Sequence, residues 1–270
     1  MPTRILERLK GWILDPLDNV GDSIIRTGSW IGDALYLLAN ALTGLTDMSA
    51  PRGSYFLRVL VQQIYFTAVQ AFWIAILLGL VLGVLAVLPL LNFGLSAVEM
   101  QATVMKVVLF HQLVPLLIAL LVIGRSGTAV TAELGDMQSN AVIDSLLVMG
   151  IEPHRFLVLP RLVGLTLSLM LLTAWACLAA IVGGGVLNEL HGGASFDHFL
   201  AACLNAIEAR NAFLSGLMVT VFGIAISIVQ SHHGLRSYTS PQIQGNLALA
   251  FVHSLMACIA VTLLFELARQ

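Results

Sequence analysis

The chain has 270 residues, of which 58% are hydrophobic and 10% charged, and its mean hydropathy is +0.92. A soluble domain carries about 25% charged residues, so this composition excludes an ordinary soluble protein and points to an integral membrane protein. A formal net charge of −2 gives no basic footprint for nucleic acid. Cys177, Cys203 and Cys258 form neither a disulfide framework nor a metal-binding spacing.

The opening "MPTRILERLKGWIL" does not have the make-up of a signal peptide. It places Ile5, Leu9, Trp12 and Ile13 on one helical face, with Arg4, Glu7, Arg8 and Lys10 largely elsewhere. That pattern suits a helix lying in the membrane interface. A second amphipathic piece covers about 22–42, so residues 1–45 read as interfacial or elbow helices ahead of a transmembrane core at 68–266.

No charge appears from Val59 to Val98, and further charge-free runs follow at Val107–Gly124, Leu162–Asn188, Asn211–Leu235 and Ser237–Phe265. A spanning helix needs roughly 20 apolar residues. The fold class expected is therefore all-α and integral to the membrane, with about five spans near 68–91, 105–124, 157–184, 211–230 and 247–266. A turn at Pro89, Asn92 and Gly94 offers a less favoured sixth crossing. "GLVLG" at 79–83 carries two small residues that permit close helix approach, and "GGG" at 183–185 reads as the end of the third span. With the N-terminus inside, ten basic residues fall on the inner side and three (Lys106, Arg210 and Arg269) on the outer. That bias puts the C-terminus outside. The outer connection Glu189–Arg210 is too short for a domain, and the chain reads as a single unit.

His111, Gln112 and Pro115 lie in the second span, and His253 lies in the last. Polar groups at membrane depth are costly and are functional candidates, with a hydrogen bond to a neighbouring helix as the simpler role. The chain has no P-loop and no HExxH motif, and its GRSGT lacks the spacing of a serine hydrolase. It therefore cannot hydrolyse ATP through a P-loop of its own.

Between the second and third spans lies "AELGDMQSNAVIDSLLVMGIEPHRFLVLPR". Glu133, Asp136, Asn140 and Asp144 recur at steps of 3, 4 and 4, one face of a helix. Val130, Leu134, Met137, Ala141 and Val148 form an adjoining apolar stripe. Gly150 and Pro153 then stop the helix. The expectation is one inner helix, its polar face turned to a soluble partner and its apolar stripe resting on the spans.

This stretch, from Gly124 to Arg161, resembles the signature of the MlaE/YrbE family of ABC-transporter permeases. The likeness is carried by Gly124, Arg125 and Gly127, then by Ala132, Glu133, Leu134, Gly135 and Met137. It continues through Ile143, Asp144, Leu146, Met149, Gly150, Ile151 and Pro153 to Leu157, Pro160 and Arg161. "QIYFTAVQA" at 63–71 is also similar to the family's approach to its first span. The resemblance implies a homodimeric inner-membrane permease that moves phospholipid or a related lipid between inner and outer membranes. The expected partners are a cytoplasmic ABC ATPase, a periplasmic MCE-domain protein and often a STAS-domain protein. The chain itself would bind no cofactor, with ATP and Mg on the ATPase. The inner helix would be the coupling helix, with contacts from Glu133, Gly135, Asp136, Met137, Asn140, Asp144, Met149, Gly150 and Pro153. A dimer axis through spans one, two and five would enclose a lipid pathway involving Tyr65, Leu77, Leu80, Val84, His111, Gln112 and Pro115. Two departures stand out: His111-Gln112-Leu113-Val114-Pro115 replaces a common Arg-Glu-Leu-x-Pro run, and "SYTSPQIQGNLALAFV" replaces a Gly-rich run before the last span. A small-solute importer permease and a proton-driven transporter using Glu99, His111 or His253 remain alternatives on the residues alone.

Overall fold

The computed structural model describes residues 53–94, 97–151 and 153–269. The interfacial helices expected within 1–45 lie outside the described residues. Within them the chain is helical throughout, with no strand. Five helices are long and apolar enough to cross a membrane: Phe56–Asn92, Val98–Ser139, Phe156–Leu190, Ala209–Leu235 and Ser240–Arg269.

The first crossing joins α1 (Gly53–Ile64) to α2 (Gln70–Asn92) through one wide π-helical turn, Tyr65–Val69. At 1.5 Å per residue α2 alone is about 34 Å long, enough for a hydrocarbon core of about 30 Å. Every fourth residue from Gln63 to Val87 is buried: Gln63, Thr67, Ala71, Ala75, Gly79, Gly83 and Val87. The face at Tyr65, Val69, Trp73, Leu77, Val81 and Leu85 is exposed, Trp73 to 76%. In water such a stripe would be a large apolar patch; against lipid tails it carries no such cost. α2 runs on through Pro89 and ends at Phe93–Gly94, so the described chain makes five crossings rather than six.

The third crossing, α7 (Leu159–Leu190), lies parallel to the first and packs along its length. The partners show why small residues stand there. A Cβ on Gly79 or Gly83 would collide with the carbonyl oxygen of Ala176 or Ala180, and one on Gly183 would sit 2.6 Å from Leu80 O. The expected break at 183–185 is absent. α7 continues through all three glycines, which are buried against Leu80, Met105, Phe196 and Phe199. Glycine costs a helix about 1 kcal/mol relative to alanine, and here close packing offsets it.

The second crossing is segmented: α3 (Val98–Lys106), a wide turn Val107–His111, α4 (Leu113–Val122), a wide turn Ile123–Gly127, and α5 (Thr128–Ser139). After the short α6 (Val142–Val148) and α7, α8 (Phe196–Ala206) packs on α3. The last two crossings, α9 (Ala209–Leu235) and α10 (Ser240–Arg269), form an antiparallel pair. Buried residues make up 22% of the most apolar stretch of the first and last crossings, against 50% in the other three. The first and last are thus the peripheral helices.

The basic residues sort by end. Lys106 Nζ meets Glu208 Oε1 at 3.3 Å, and Arg210 donates to Arg269 O at 3.0 Å. These three residues, assigned together to one side by charge, share one end of the bundle. The starts of α1 and α7 and the ends of α5 and α9 lie at the other.

Candidate functional site

At that second end the chain folds the signature stretch into two helices, not one. α5 stops at Asn140, whose Nδ2 donates to Asp136 O at 3.0 Å and to Asp136 Oδ1 at 3.1 Å. Ser139 Oγ donates to the same carbonyl at 3.0 Å. Local side-chain bonds of this kind compete with helix continuation. Ala141 then takes a left-handed conformation, φ 56 and ψ 21, and α6 starts afresh. The straight-helix expectation for 130–148 is corrected by this joint.

Beneath the joint, Val130, Leu134, Ile143 and Leu157 form a buried cluster with Met137, Leu146, Phe156 and Leu235 around it. Val148 does not rest on the spans as the apolar stripe predicted. It is 89% exposed, beside exposed Leu147 and Met149. α6 closes with a Schellman motif: Ile151 N donates to Leu146 O at 2.9 Å and Gly150 N to Leu147 O at 3.0 Å. Gly150, at φ 70, supplies the left-handed residue that motif needs. Pro153 is buried at the turn into the third crossing.

The predicted site residues therefore divide. Asp136, Asn140, Asp144 and Met149 are exposed at this end. Met137 packs in the joint, and Gly135 is buried on the opposite side of α5. A Cβ on Gly135 would lie 3.1 Å from Ile243 and 3.2 Å from Ser237. Glu133 is half exposed, and its Oε1 lies 2.7 Å from Arg161 Nη2. Arg161 is buried and also donates through Nη1 to Leu157 O at 2.9 Å. α5 and the close of the signature are thus tied by a charge-assisted bond. Arg125, at its start, reaches the first crossing. There Gln70 N bonds Tyr65 O across the wide turn, and Arg125 donates to Phe66 O at 3.3 Å and to Gln70 Oε1 at 2.6 Å. Its guanidinium also sits 5.1 Å from the centre of the Phe66 ring.

α5 is fastened to the last two crossings by buried polar groups that sequence reading did not single out. Thr131 Oγ1 donates within reach of both Gln230 Oε1 and Gln230 O, and Gln230 Nε2 donates to Ser254 Oγ at 3.1 Å. A Gln inside a 27-residue apolar helix was the available signal. One turn further, Asn246 Nδ2 donates to Ser237 Oγ at 2.9 Å, and His233 Nε2 and His253 Nδ1 share a hydrogen at 2.9 Å. The simpler role foreseen for His253, a hydrogen bond between helices, is the one the structure shows.

The lipid-pathway set is spread over two helices. Tyr65, Leu77 and Leu80 are exposed on the first crossing and Val84 is half-buried. His111 closes the wide turn Val107–His111. At Gln112 the helix breaks (φ −144, ψ −51), and α4 begins with Pro115 in its first turn, where a missing N–H costs little. Gln112 is exposed beside Leu113, whereas Pro115 is buried. Pro115 therefore shapes the break rather than lining a surface.

The family described as Permease MlaE matches residues 60–268, from the middle of α1 to the end of α10. The chain is 27% identical to the intermembrane phospholipid transport system permease protein MlaE of Haemophilus influenzae, over 82% of this chain and 84% of that one. It is 23% identical to a probable ABC transporter permease protein of Rickettsia felis over 83% and 86%. A probable ABC transporter permease protein of Synechocystis is 30% identical over 49% of this chain and 50% of its own length. With the match running through all five crossings and the jointed α5–α6 element, this multi-pass membrane protein belongs to the MlaE permease family.

Proposed function

We propose that this chain is the permease subunit of an ABC transporter that carries phospholipid between the inner and outer membranes, with ATP hydrolysed on a separate subunit. The observation that carries the coupling part is the outward face of the inner element. Val148, Leu147 and Met149 stand exposed, as do Asp144 and Asp136, at the end where two crossings begin. An apolar knuckle with Asp144 one helical turn from Val148, on a jointed helix pair fixed to three crossings, suits a groove on a soluble partner. The substrate reading is supported by what the Haemophilus relative is named for. It is supported too by the exposed apolar stripe from Tyr65 to Leu85, which offers acyl chains a path along the first crossing.

In this reading the inner element is cytoplasmic, the C-terminus is periplasmic and the protein resides in the inner membrane. Two copies face each other across the peripheral crossings and enclose the stripe. Tyr65, Leu77, Leu80 and Val84 then meet lipid tails, and His111 and Gln112 at the helix break meet the headgroup. The ATPase docks on Asp136, Asn140, Asp144 and Met149, while Glu133, Gly135, Met137, Gly150 and Pro153 hold the docking face in shape. An MCE-domain protein receives lipid on the periplasmic side, and a STAS-domain protein joins the ATPase.

The test is a pull-down of the cognate ATPase with Asp144→Lys and Val148→Asp variants. Both should insert normally and lose the ATPase. Retention of the ATPase by both would refute the docking face. Mass spectrometry of protein purified in mild detergent should find bound phospholipid, and lipid-free protein that binds a soluble solute would refute the substrate.

A further inference from the structure

We propose that Gln230 is the positioning residue through which movement of α5 reaches the last crossing. This rests on the reading of α5–α6 as the element that meets the ATPase. Such an element needs a connection stiff enough to carry a displacement into the membrane. The Glu133–Arg161 pair links it to the third crossing, but Glu133 is half exposed to water, which weakens the link.

The connection to the fourth and fifth crossings is of another kind. Thr131, Gln230 and Ser254 are all fully buried, one on each of α5, α9 and α10. The Gln230 amide uses both of its ends. Oε1 accepts from Thr131, and Nε2 donates to Ser254 at 3.1 Å. Thr131 Oγ1 also lies 3.0 Å from the Gln230 carbonyl oxygen. The space is made by Gly127, where a Cβ would stand 2.9 Å from Gln230 Nε2. Gly234 lets the helices close in the same way, with Leu134 and Thr131 against it.

All three side chains are sealed from bulk solvent, and a displaced partner would leave a buried polar group unsatisfied. α5 therefore cannot slide along α9 without dragging Gln230, or Gln230 without dragging Ser254. Gly135 lets α5 close on Ser237, in the turn between α9 and α10, and on Ile243 of α10 one turn further on. The geometry makes α5, α9 and α10 one body at the inner end, with Gln230 as its pin. A push on the docking face then tilts the last crossing, one of the two peripheral helices.

Three substitutions separate pin from packing. Thr131→Val keeps the volume and removes the hydroxyl, Thr131→Ser keeps the hydroxyl, and Gln230→Leu removes both ends of the amide. The complex with its ATPase is reconstituted in phospholipid vesicles, and lipid moved per ATP hydrolysed is measured. Thr131→Val and Gln230→Leu should lower that ratio by about tenfold, while Thr131→Ser keeps it. Spin labels at Gln138 and Gln244, with the three native cysteines replaced by Ala, should keep one separation with and without ATP in the otherwise unaltered chain. Thr131→Val should make that separation change on ATP binding. A Thr131→Val protein with unaltered ratio and separation overturns the proposal. So does a Thr131→Ser protein that fails as badly as Thr131→Val. If the unsubstituted complex moves no phospholipid, the transport reading fails instead, and the label separation alone decides the role of Gln230.

Discussion

Glu133 and Arg161 tie α5 to the start of the third crossing, and what each does follows from unequal burial. Arg161 is nearly sealed from solvent and has two acceptors, Glu133 Oε1 and Leu157 O. Glu133→Ala leaves that guanidinium one neutral acceptor and should cost about 1–3 kcal/mol, seen as a lower midpoint in thermal unfolding of the detergent-purified protein. Glu133→Gln, which keeps a hydrogen bond, should lose less. Glycines make a sharper contrast. Gly83→Ala drives a methyl group into the Ala180 carbonyl and should lower the midpoint by several degrees. Gly245→Ala, in an open helical position, should be neutral or raise it slightly, since Ala favours the helix by about 1 kcal/mol. The sequence marked Gly79 and Gly83 as a close-approach pair, because two small residues four apart carry that meaning without structural context. It did not mark Gln230. A polar residue near the end of a long apolar run looks like a boundary until the helix is seen to continue with Gln230 fully buried.

The crossings were legible as elements because charge-free runs of about 20 residues admit few other readings. Their interruptions were not. The steps of 3, 4 and 4 through Glu133, Asp136, Asn140 and Asp144 fit a straight helix. Nothing in the side chain of Ala141 announces a left-handed backbone. The physical cause is local: Asn140 and Ser139 turn back onto Asp136 O, and Ile143 and Leu146 then tuck beneath α5. A left-handed non-glycine residue costs about 1–2 kcal/mol, so Ala141→Gly should raise the unfolding midpoint and Ala141→Val should lower it. The triple glycine misled in the opposite direction. Residues 183–185 look like a break, yet each glycine faces a neighbour too close for any side chain. Helix propensity loses there to packing.

At the scale of the whole molecule, three central crossings are clasped between two peripheral ones, and the signature stretch hangs at one end with ties to all but its own outer face. Arg125 holds the first crossing, Arg161 the third, and Gln230 the fourth and fifth. This arrangement leaves Leu147, Val148 and Met149 as an exposed apolar knuckle. The central claim is that an ATPase pressing on this knuckle drives phospholipid along the peripheral apolar stripe. The direct measurement is transfer of labelled phospholipid between vesicles by the reconstituted complex, comparing the native chain with Val148→Asp. ATP-dependent transfer by the native chain, abolished in Val148→Asp while the protein remains folded in the membrane, is the predicted result. Equal transfer by both proteins, or transfer that needs no ATP, would contradict it.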